Sequence, residues 1–143
     1  MTSKWTGQSV DSLVAAFLQL GYAHPNLEGD GRVKEFDRHE REMRELGRAL
    51  KEAGPEGQAA LVGLMDHAHI PIRLRAAQAS MDFAKDRAVD VLIDITEMNV
   101  GEFSMAAQLT LMFVGEFDMK TGPKRRPKPI PPEWEWKPKG PSR

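Results

Sequence analysis

The sequence repeats part of itself at an offset of thirty residues. RAAQASMDF at 75–83 aligns with MAAQLTLMF at 105–113, and Ala-Ala-Gln occupies the same place in both segments. The match extends upstream, where apolar residues again correspond: Leu61, Val62 and Met65 fall on Val91, Leu92 and Ile95. Self-similarity at a period of about 20–50 residues is typical of helical arrays in which each unit buries its apolar face against its neighbours. The repeat therefore predicts an all-α fold.

The paired alanines in the repeat indicate how the helices pack. An alanine has so small a side chain that a neighbouring helix can approach where a larger residue would hold it off. Because Ala77 and Ala107 occupy the same position in the two units, we expect both to be buried at equivalent helix–helix contacts.

The first unit resembles a HEAT-type repeat. Its segment LVGLMDHAHIPIRLRAAQASM has a leucine-rich first helix, an Asp, and the pattern Val/Ile-Arg-x-x-Ala-Ala at the opening of the second helix. The matching residues are Leu61, Leu64, Asp66, Ile72, Arg73, Ala76 and Ala77. The resemblance implies a HEAT-like, right-handed α-α superhelix of about six helices.

The second unit departs from this motif at two places. Thr96 stands where Asp66 stood, and Phe103 stands where Arg73 stood. The Asp–Arg ladder that is usual in long HEAT arrays therefore cannot continue, and a compact domain is expected. More narrowly, residues from about 10 to 117 are similar to a family of short bacterial HEAT-like proteins catalogued as a domain of unknown function.

Apolar periodicity and helix-stop signals divide the chain into six helices. We place them at about 10–20, 32–53, 55–66, 71–83, 86–98 and 102–117. Gly21 is expected to end the first helix, and Gly54-Pro55 to separate the second from the third. Because the sixth helix is apolar on nearly every side, we expect it to be buried on more than one side. A second copy, a foreign partner or the chain's own tail would cover it.

The second helix combines a narrow apolar seam with dense charge. The seam residues are Val33, Phe36, Met43, Leu46 and Leu50. We expect an ion pair between Glu40 and Arg44, in which the acid precedes the base by one helical turn. Mixed charge of this density is typical of a helix face that is in contact with solvent. The alternative is that this face of the helix binds a partner.

Charge is distributed unevenly along the chain. Residues 1–120 carry 13 Lys and Arg against 19 Asp and Glu, whereas residues 121–143 carry seven against two. We therefore divide the chain into a helical-repeat domain, 1–120, and a basic tail, 121–143. Acidic residues concentrate on the second helix, where Glu35, Glu42 and Glu45 are candidate partner-binding residues. An acidic surface of this kind steers a basic partner toward the protein.

The tail contains seven of the ten prolines and is expected to be extended, forming neither helix nor sheet. Two tryptophans, Trp134 and Trp136, lie between its prolines, although unstructured tails are poor in aromatic residues. We therefore expect Ile130, Trp134 and Trp136 to dock on the sixth helix or on a neighbouring subunit, with the two tryptophans as partner-binding anchors. An unstructured tail is the alternative.

Signals for catalysis or for a bound cofactor are weak. The chain has no cysteine, no Gly-rich phosphate loop and no Gly-x-Ser-x-Gly elbow. Its carboxylates are scattered over charged helix faces, so we expect no apolar niche that would shift their pKa values. The cluster with metal or acid–base potential is Asp66, His67 and His69, which supplies too few ligands for zinc. We expect this turn to cap helix ends, and we expect no enzyme, no cofactor and no metal site.

Nothing in the sequence indicates a membrane protein. No apolar run approaches the roughly 20 residues that a membrane-spanning helix needs, and the first ten residues lack the features of a signal peptide. The expected location is the cytoplasm, without membrane contact.

These observations favour a non-enzymatic protein-binding module. Its most specific form is an immunity or antitoxin-like protein whose acidic surface neutralises a basic partner such as a nuclease toxin, because complementary charge accelerates capture. One alternative is a scaffold or regulatory adaptor that forms a homodimer through the sixth helix. Another is a metal-dependent or nucleic-acid-acting protein that uses the turn at Asp66–His69. Nucleic-acid binding is disfavoured, since an acidic domain is expected to offer no basic groove.

Overall fold

The protein is built from helices that follow one another along the chain. The computed structural model describes residues 4–23 and 32–124, in which six helices are followed by a short hairpin. The helices are α1 (Val10–Tyr22), α2 (Arg32–Glu52), α3 (Pro55–Leu64), α4 (Ile70–Ala79), α5 (Lys85–Met98) and α6 (Glu102–Phe113). The hairpin pairs β1 (Phe117–Asp118) with β2 (Gly122–Pro123) in antiparallel order. The fold is therefore all-α, as predicted. None of these described helices is both long enough and apolar enough to cross a membrane.

Local signals in the sequence explain where several helices begin and end. The Ser9 hydroxyl accepts the backbone N–H of Ser12 and caps α1. Gly54, at φ 92°, and Pro55, in the first turn of α3, form the predicted boundary between α2 and α3. After α5, Asn99 adopts the left-handed conformation, at φ 57°, that commonly ends a helix.

Each helix packs against the next one in the chain, and α4 lies at the centre of the fold. α4 contacts α1, α2, α3, α5 and α6, and every residue from Ile70 to Ala77 is buried. Because α2 and α6 both contact α4, the second helices of successive helix pairs lie side by side. This arrangement places α2, α4 and α6 around one surface.

The hydrophobic core combines side chains from all six helices. Its members from α2 are Met43, Leu46 and Leu50, three residues of the predicted seam. Ala77 of α4 and Ala107 of α6 are fully buried, which confirms the burial expected from the repeat. Val33 and Phe36, the other two seam residues, lie outside the described side chains.

Gly21 does not end α1, contrary to expectation. It lies one residue inside the helix and is buried against Ile72 of α4. A Cβ at this position would overlap the Ile72 side chain. The glycine therefore permits the close approach of α1 and α4, and the helix continues to Tyr22.

The fourth helix is about one turn shorter than predicted. α4 stops at Ala79 instead of continuing to Phe83. The Ser80 hydroxyl donates to the Ala76 carbonyl, and the Ala84 N–H turns back to the Ser80 carbonyl at 2.8 Å. A serine that bonds to the backbone in this way competes with the helical ladder, so the helix ends there.

The sixth helix ends at Phe113, one turn before its predicted boundary, in a turn that depends on glycine. Gly115 has φ 80°, and its N–H donates to the Met112 carbonyl. The Glu116 N–H donates to the Leu111 carbonyl at 2.8 Å. This pair of hydrogen bonds is a Schellman motif, which satisfies the last carbonyls of α6 and leads the chain into β1.

The first residues of the predicted tail belong to the hairpin. β2 pairs with β1, and the Lys124 N–H donates to the Glu116 carbonyl at 3.0 Å. The expectation that the tail contains no sheet is therefore wrong at β2, because an edge strand tolerates a proline that has no N–H to donate. The predicted docking residues Ile130, Trp134 and Trp136 lie outside the described residues.

Candidate functional site

α2, α4 and α6 enclose an open groove of about 460 Å³, which we call the α2–α4–α6 groove. Its basic residues are Arg44, Arg48, Lys51 and Arg75, and its acidic residues are Glu40 and Asp82. The expectation that the helical domain offers no basic groove is therefore wrong. Three of the basic residues fall on one flank of α2, and packing adds the fourth from α4.

Two kinds of contact join the helices that form the α2–α4–α6 groove. α2 and α4 approach closely at Gly47 and Ala79, where a Cβ on the glycine would lie 2.8 Å from the alanine Cβ. α4 and α6 are joined by polar side chains. The Gln78 amide donates to the Thr110 hydroxyl at 2.9 Å, and Arg75 Nη1 donates to Gln78 Oε1 at 2.8 Å. These contacts set the spacing of the three helices.

Two ion pairs lie at the two ends of the groove; one joins α2 to the middle of α4, and the other joins α2 to the residues that follow α4. Lys51 Nζ is 2.7 Å from Asp82, and Glu40 pairs with Arg75. Glu40 therefore does not form the predicted pair with Arg44, because the packing of α4 brings a closer arginine to it. Burial lowers the pKa of Arg75 to about 10, and the nearby Glu102 carboxylate opposes that shift. Arg75 consequently stays charged at neutral pH.

Arg44 and Arg48 lie between these two ion pairs on α2. Both are exposed, and neither forms an ion pair with an acidic residue in the described segments. The middle of the groove therefore carries two positive charges. The negative net charge of residues 1–120 as a whole gives no indication of them.

One face of α6 exposes large apolar side chains. Met105, Leu109 and Phe113 recur every four residues and are 65%, 56% and 91% exposed; we call them the apolar stripe. The opposite face contributes Ala107 and Leu111 to the core. Within the described residues α6 is therefore buried on one side, and not on more than one side as expected. Phe113 also lines the α2–α4–α6 groove.

The three predicted acidic residues lie on the other charged flank of α2. Glu35 and Glu42 line a shallow depression of about 340 Å³, together with Arg38. Lys4 Nζ donates to the Glu42 carboxylate at 2.7 Å. Glu45 follows at helical spacing and is half-buried. The structure thus brings Glu35 and Glu42 together, with basic side chains beside them.

The turn at Asp66–His69 is built into the helix ends around it. His67 Nδ1 accepts the backbone N–H of His69 at 3.0 Å, which leaves the proton of a neutral imidazole on Nε2. His67 Nε2 can then donate to the Tyr22 hydroxyl, 3.0 Å away. His69 Nε2 contacts the carbonyl of Gly21 at 3.2 Å, near the end of α1.

Asp66, the acidic residue of this turn, pairs with Arg87 of α5. Among the residues that the structure describes, no group of three or more His, Cys, Asp or Glu side chains could hold a metal ion. Burial lowers the pKa of His67, and the positive charge of Arg73 lowers it further. The contacts of the turn connect α1, α4 and α5. The capping expected of the turn is seen at the end of α1, where His69 contacts the Gly21 carbonyl, but the start of α4 has no side-chain cap and Asp66 pairs with Arg87 instead.

The structure contains a buried ion pair, although the sequence predicted no apolar environment that would shift the pKa of a carboxylate. Arg73 of α4 is fully buried and lies 3.7 Å from Asp94 of α5. Burial lowers the pKa of Arg73 and raises that of Asp94, and the opposite charge of each residue opposes the shift of the other. The expectation of unshifted carboxylates is therefore wrong for Asp94. α5 is buried at every residue from Ala88 to Ile95. The Asp94 carboxylate, which was expected on a charged helix face, is therefore enclosed.

An apolar concavity of about 590 Å³ lies where the ends of several helices meet. Tyr22, His69, Val100 and Phe103 are among the residues that line it. No motif pointed to it, because its residues come from the end of α1, the start of α4 and the connection between α5 and α6.

The α2–α4–α6 groove was also missed, although part of it has a signal in the sequence. Glu40, Arg44, Arg48 and Lys51 recur at spacings of four, four and three residues, which places them on one face of a helix. The residues of α4 and α6 that complete the groove have no such signal, because they are set by how the helices pack.

The fold and the groove define a small all-α protein with a charged, open surface on its second, fourth and sixth helices. The family described as "Domain of unknown function (DUF2019)" matches residues 11–115, a segment that runs from α1 through α6. The chain belongs to this family. No curated protein matches the chain, and neither does any solved structure.

Proposed function

We propose that this chain is a non-enzymatic protein-binding module that docks a partner on the α2–α4–α6 groove and the apolar stripe. The observation that carries the proposal is Phe113, which is 91% exposed and stands at the edge of a groove that contains arginines. Exposed apolar side chains bordered by polar residues mark interaction sites. The partner segment that fits is acidic, to pair with Arg44 and Arg48, and carries an apolar side chain to contact Phe113.

A HEAT-like arrangement of the helices supports this choice of surface and is itself part of the proposal. The thirty-residue repeat and the contacts of α4 with α2 and α6 agree with a stack of helix pairs. Stacked repeats present their equivalent helices on one extended surface, which repeat proteins use for binding. Location in the cytoplasm stays a prediction.

The first experiment uses the full chain as bait and then measures a purified partner. A partner captured by the parent protein is purified, and its dissociation constant is compared between the parent and Leu109→Ser/Phe113→Ser. Removing two exposed apolar anchors should weaken binding by roughly tenfold or more. The matched control is Tyr22→Ser, which removes an exposed aromatic ring outside the groove.

The control also tests the competing surface, because Tyr22 lines the apolar concavity at the helix ends. A partner that loses affinity with Tyr22→Ser but not with Leu109→Ser/Phe113→Ser would move the docking site away from the groove. A parent protein that sediments as a dimer, and a stripe variant that sediments as a monomer, would favour the scaffold or adaptor that forms a homodimer through α6.

An immunity or antitoxin-like protein is the second candidate function, and the acidic balance of residues 1–120 favours it. In this form a basic partner, such as a nuclease toxin, approaches the flank of α2 that carries Glu35, Glu42 and Glu45. Glu35 is exposed there, at the depression that it shares with Glu42. Long-range attraction of this kind acts on the association rate.

Charge reversal tests the immunity proposal. Glu35→Lys/Glu42→Lys/Glu45→Lys should slow the association of a basic partner, and salt should reduce the difference because the Debye length falls from about 10 Å at 0.1 M to about 3 Å at 1 M. Association kinetics at two ionic strengths measure both effects. An acidic partner, or an association rate indifferent to salt and to reversal, would remove the basis of this candidate.

A further inference from the structure

The α2–α4–α6 groove and one short segment of the otherwise basic tail carry complementary chemistry. Arg44 and Arg48 supply two exposed positive charges, and Phe113 supplies an exposed ring at the same groove. Residues 133–136 of the tail read Glu-Trp-Glu-Trp, so acidic and aromatic side chains alternate there. We propose that this segment occupies the groove of its own molecule, with its glutamates at the two arginines and its tryptophans at Phe113.

The spacing of the charges agrees on the two sides. Arg44 and Arg48 are four residues apart on α2, which corresponds to roughly 6 Å along the helix axis. Two residues of extended chain span roughly 6–7 Å, so Glu133 and Glu135 match that interval. Because successive side chains of an extended chain point in opposite directions, both tryptophans then face the α6 side of the groove.

The length of chain between the hairpin and this segment is sufficient. Lys124 is hydrogen-bonded to Glu116, just after the end of α6 that carries Phe113. Nine residues lead from Lys124 to Glu133, and an extended, proline-rich chain gains about 3.1 Å per residue, for a reach of roughly 28 Å. The groove from Glu40 to Lys51 is roughly 16 Å long by the rise of α2. The segment can therefore reach any point of the groove.

Occupancy by the tail would regulate access to the groove. A segment tethered by a short linker has an effective concentration in about the millimolar range, so a partner must compete with it. This consequence rests on the proposed function, because it takes the groove as the surface to which a partner binds. The docking of the tail does not depend on any partner and can be measured alone.

The experiment follows tryptophan fluorescence in the full chain with Trp5→Phe, so that the emission reports only Trp134 and Trp136. Docked tryptophans emit at shorter wavelength and are protected from acrylamide. Arg44→Glu/Arg48→Glu should shift the emission to that of exposed tryptophan and increase quenching. The matched control is Lys34→Glu/Arg38→Glu, which makes the same charge change on exposed residues elsewhere on α2 and should leave the emission unchanged.

A charge swap provides a second, independent variant. Glu133→Arg/Glu135→Arg alone should release the tail, and its combination with Arg44→Glu/Arg48→Glu should restore the blue-shifted emission, as expected for residues in direct contact. Emission typical of exposed tryptophan in the parent, or indifferent to reversal of the arginines, would overturn the proposal. Emission that shifts with protein concentration, together with a dimer in sedimentation, would assign the groove to the tail of a second copy and would also overturn it.

The outcomes separate this inference from the proposed function. If the tail docks and the released variant Glu133→Arg/Glu135→Arg still binds no partner, the protein-binding function fails while the docking stands. If a partner binds at Phe113 and the tryptophan emission of the tail does not change in Arg44→Glu/Arg48→Glu, the proposed docking of the tail is wrong while the protein-binding function stands.

Discussion

Residues with little or no side chain decide how closely the helices of this protein approach one another. Gly21 lies against Ile72, Gly47 lies against Ala79, and Ala77 is fully buried in α4. Added atoms at these positions would have to displace a neighbouring helix, because protein interiors are close-packed. Stability should therefore depend on side-chain volume at each of them.

Ala77→Leu should destabilise the fold by about 1–3 kcal/mol, because the added atoms overpack a helix–helix contact. The matched control is Ala59→Leu at an exposed position of α3, for which a change within about 0.5 kcal/mol is expected. Thermal or urea unfolding of the parent and both variants measures the difference. Equal stability of Ala77→Leu and the parent would contradict the tight contact inferred from the repeat.

His67 gives the second prediction at this scale. Burial and the charge of Arg73 lower its pKa, and the neutral ring accepts the His69 N–H. Above the ordinary histidine pKa of about 6.5 both the folded and the unfolded chain hold a neutral ring, so His67 adds no pH dependence. As the pH falls below that value, the unfolded chain binds the proton first, and the free energy of unfolding decreases.

An NMR titration of the full chain tests this directly, with an expected His67 midpoint below about 6.5. Between about pH 7.5 and about pH 5.5, His67→Asn should lose less stability than the parent, because the variant has no ring to protonate. The other titrating groups are common to both proteins and cancel in the comparison. A midpoint at or above the ordinary value would contradict the burial that the structure assigns to this ring.

At the scale of helices, α4 and α5 are held together by a buried charge pair as well as by apolar contact. Arg73 and Asp94 lie 3.7 Å apart, and Arg73 Nη2 also lies 3.5 Å from the Met98 sulfur. Burial shifts both pKa values toward the neutral forms, so desolvation outweighs the attraction between the two charges. Such a pair adds little net stability, whereas either charge left alone in the interior is costly.

Arg73→Met and Asp94→Leu should each destabilise the protein by about 3–5 kcal/mol, because each removes the opposite charge that lies beside a buried one. The double variant should lose much less than the sum of the two, and its stability should approach that of the parent. Urea unfolding of the four proteins completes the cycle. Additive losses would show that the two residues act independently.

At the scale of the whole molecule, the hairpin follows α6 and includes the first residues of the basic tail. β1 and β2 are only two residues long each, but the Lys124 N–H also donates to the Glu116 carbonyl. The Schellman turn at Gly115 directs the chain into this hairpin. Residues 121–124 are therefore structural, whatever the role of the residues that follow.

A chain that ends after Lys120 should consequently melt at a lower temperature than one that ends after Lys124. The missing strand removes a few backbone hydrogen bonds, worth roughly 1–2 kcal/mol together. Comparison of the chain ending after Lys124 with the full chain then isolates the contribution of residues 125–143. Equal melting of the two truncated chains would mean that the hairpin adds no stability.

Several features could be predicted from the sequence because they depend on residues that are near one another in the chain. Helical periodicity placed all six helices, the Gly54-Pro55 boundary was correct, and the repeat indicated that Ala77 and Ala107 are buried. Glycine and serine were harder to interpret. Gly21 permits packing, whereas Gly115 ends a helix, and nothing local to either residue distinguishes the two roles.

The sequence by itself determined the helical class, the repeat and the order of the elements, since hydrophobic spacing and helix caps act within a few residues. Only the tertiary structure decided which residues form the candidate site. Arg44, Arg75 and Phe113 come from three helices, and they line one groove because the packing of α2 and α6 on α4 brings them together. The same packing enclosed Asp94 and gave Glu40 a different partner. Charge and burial at a surface depend on distances between side chains, and those distances are set by helix packing that no local pattern records.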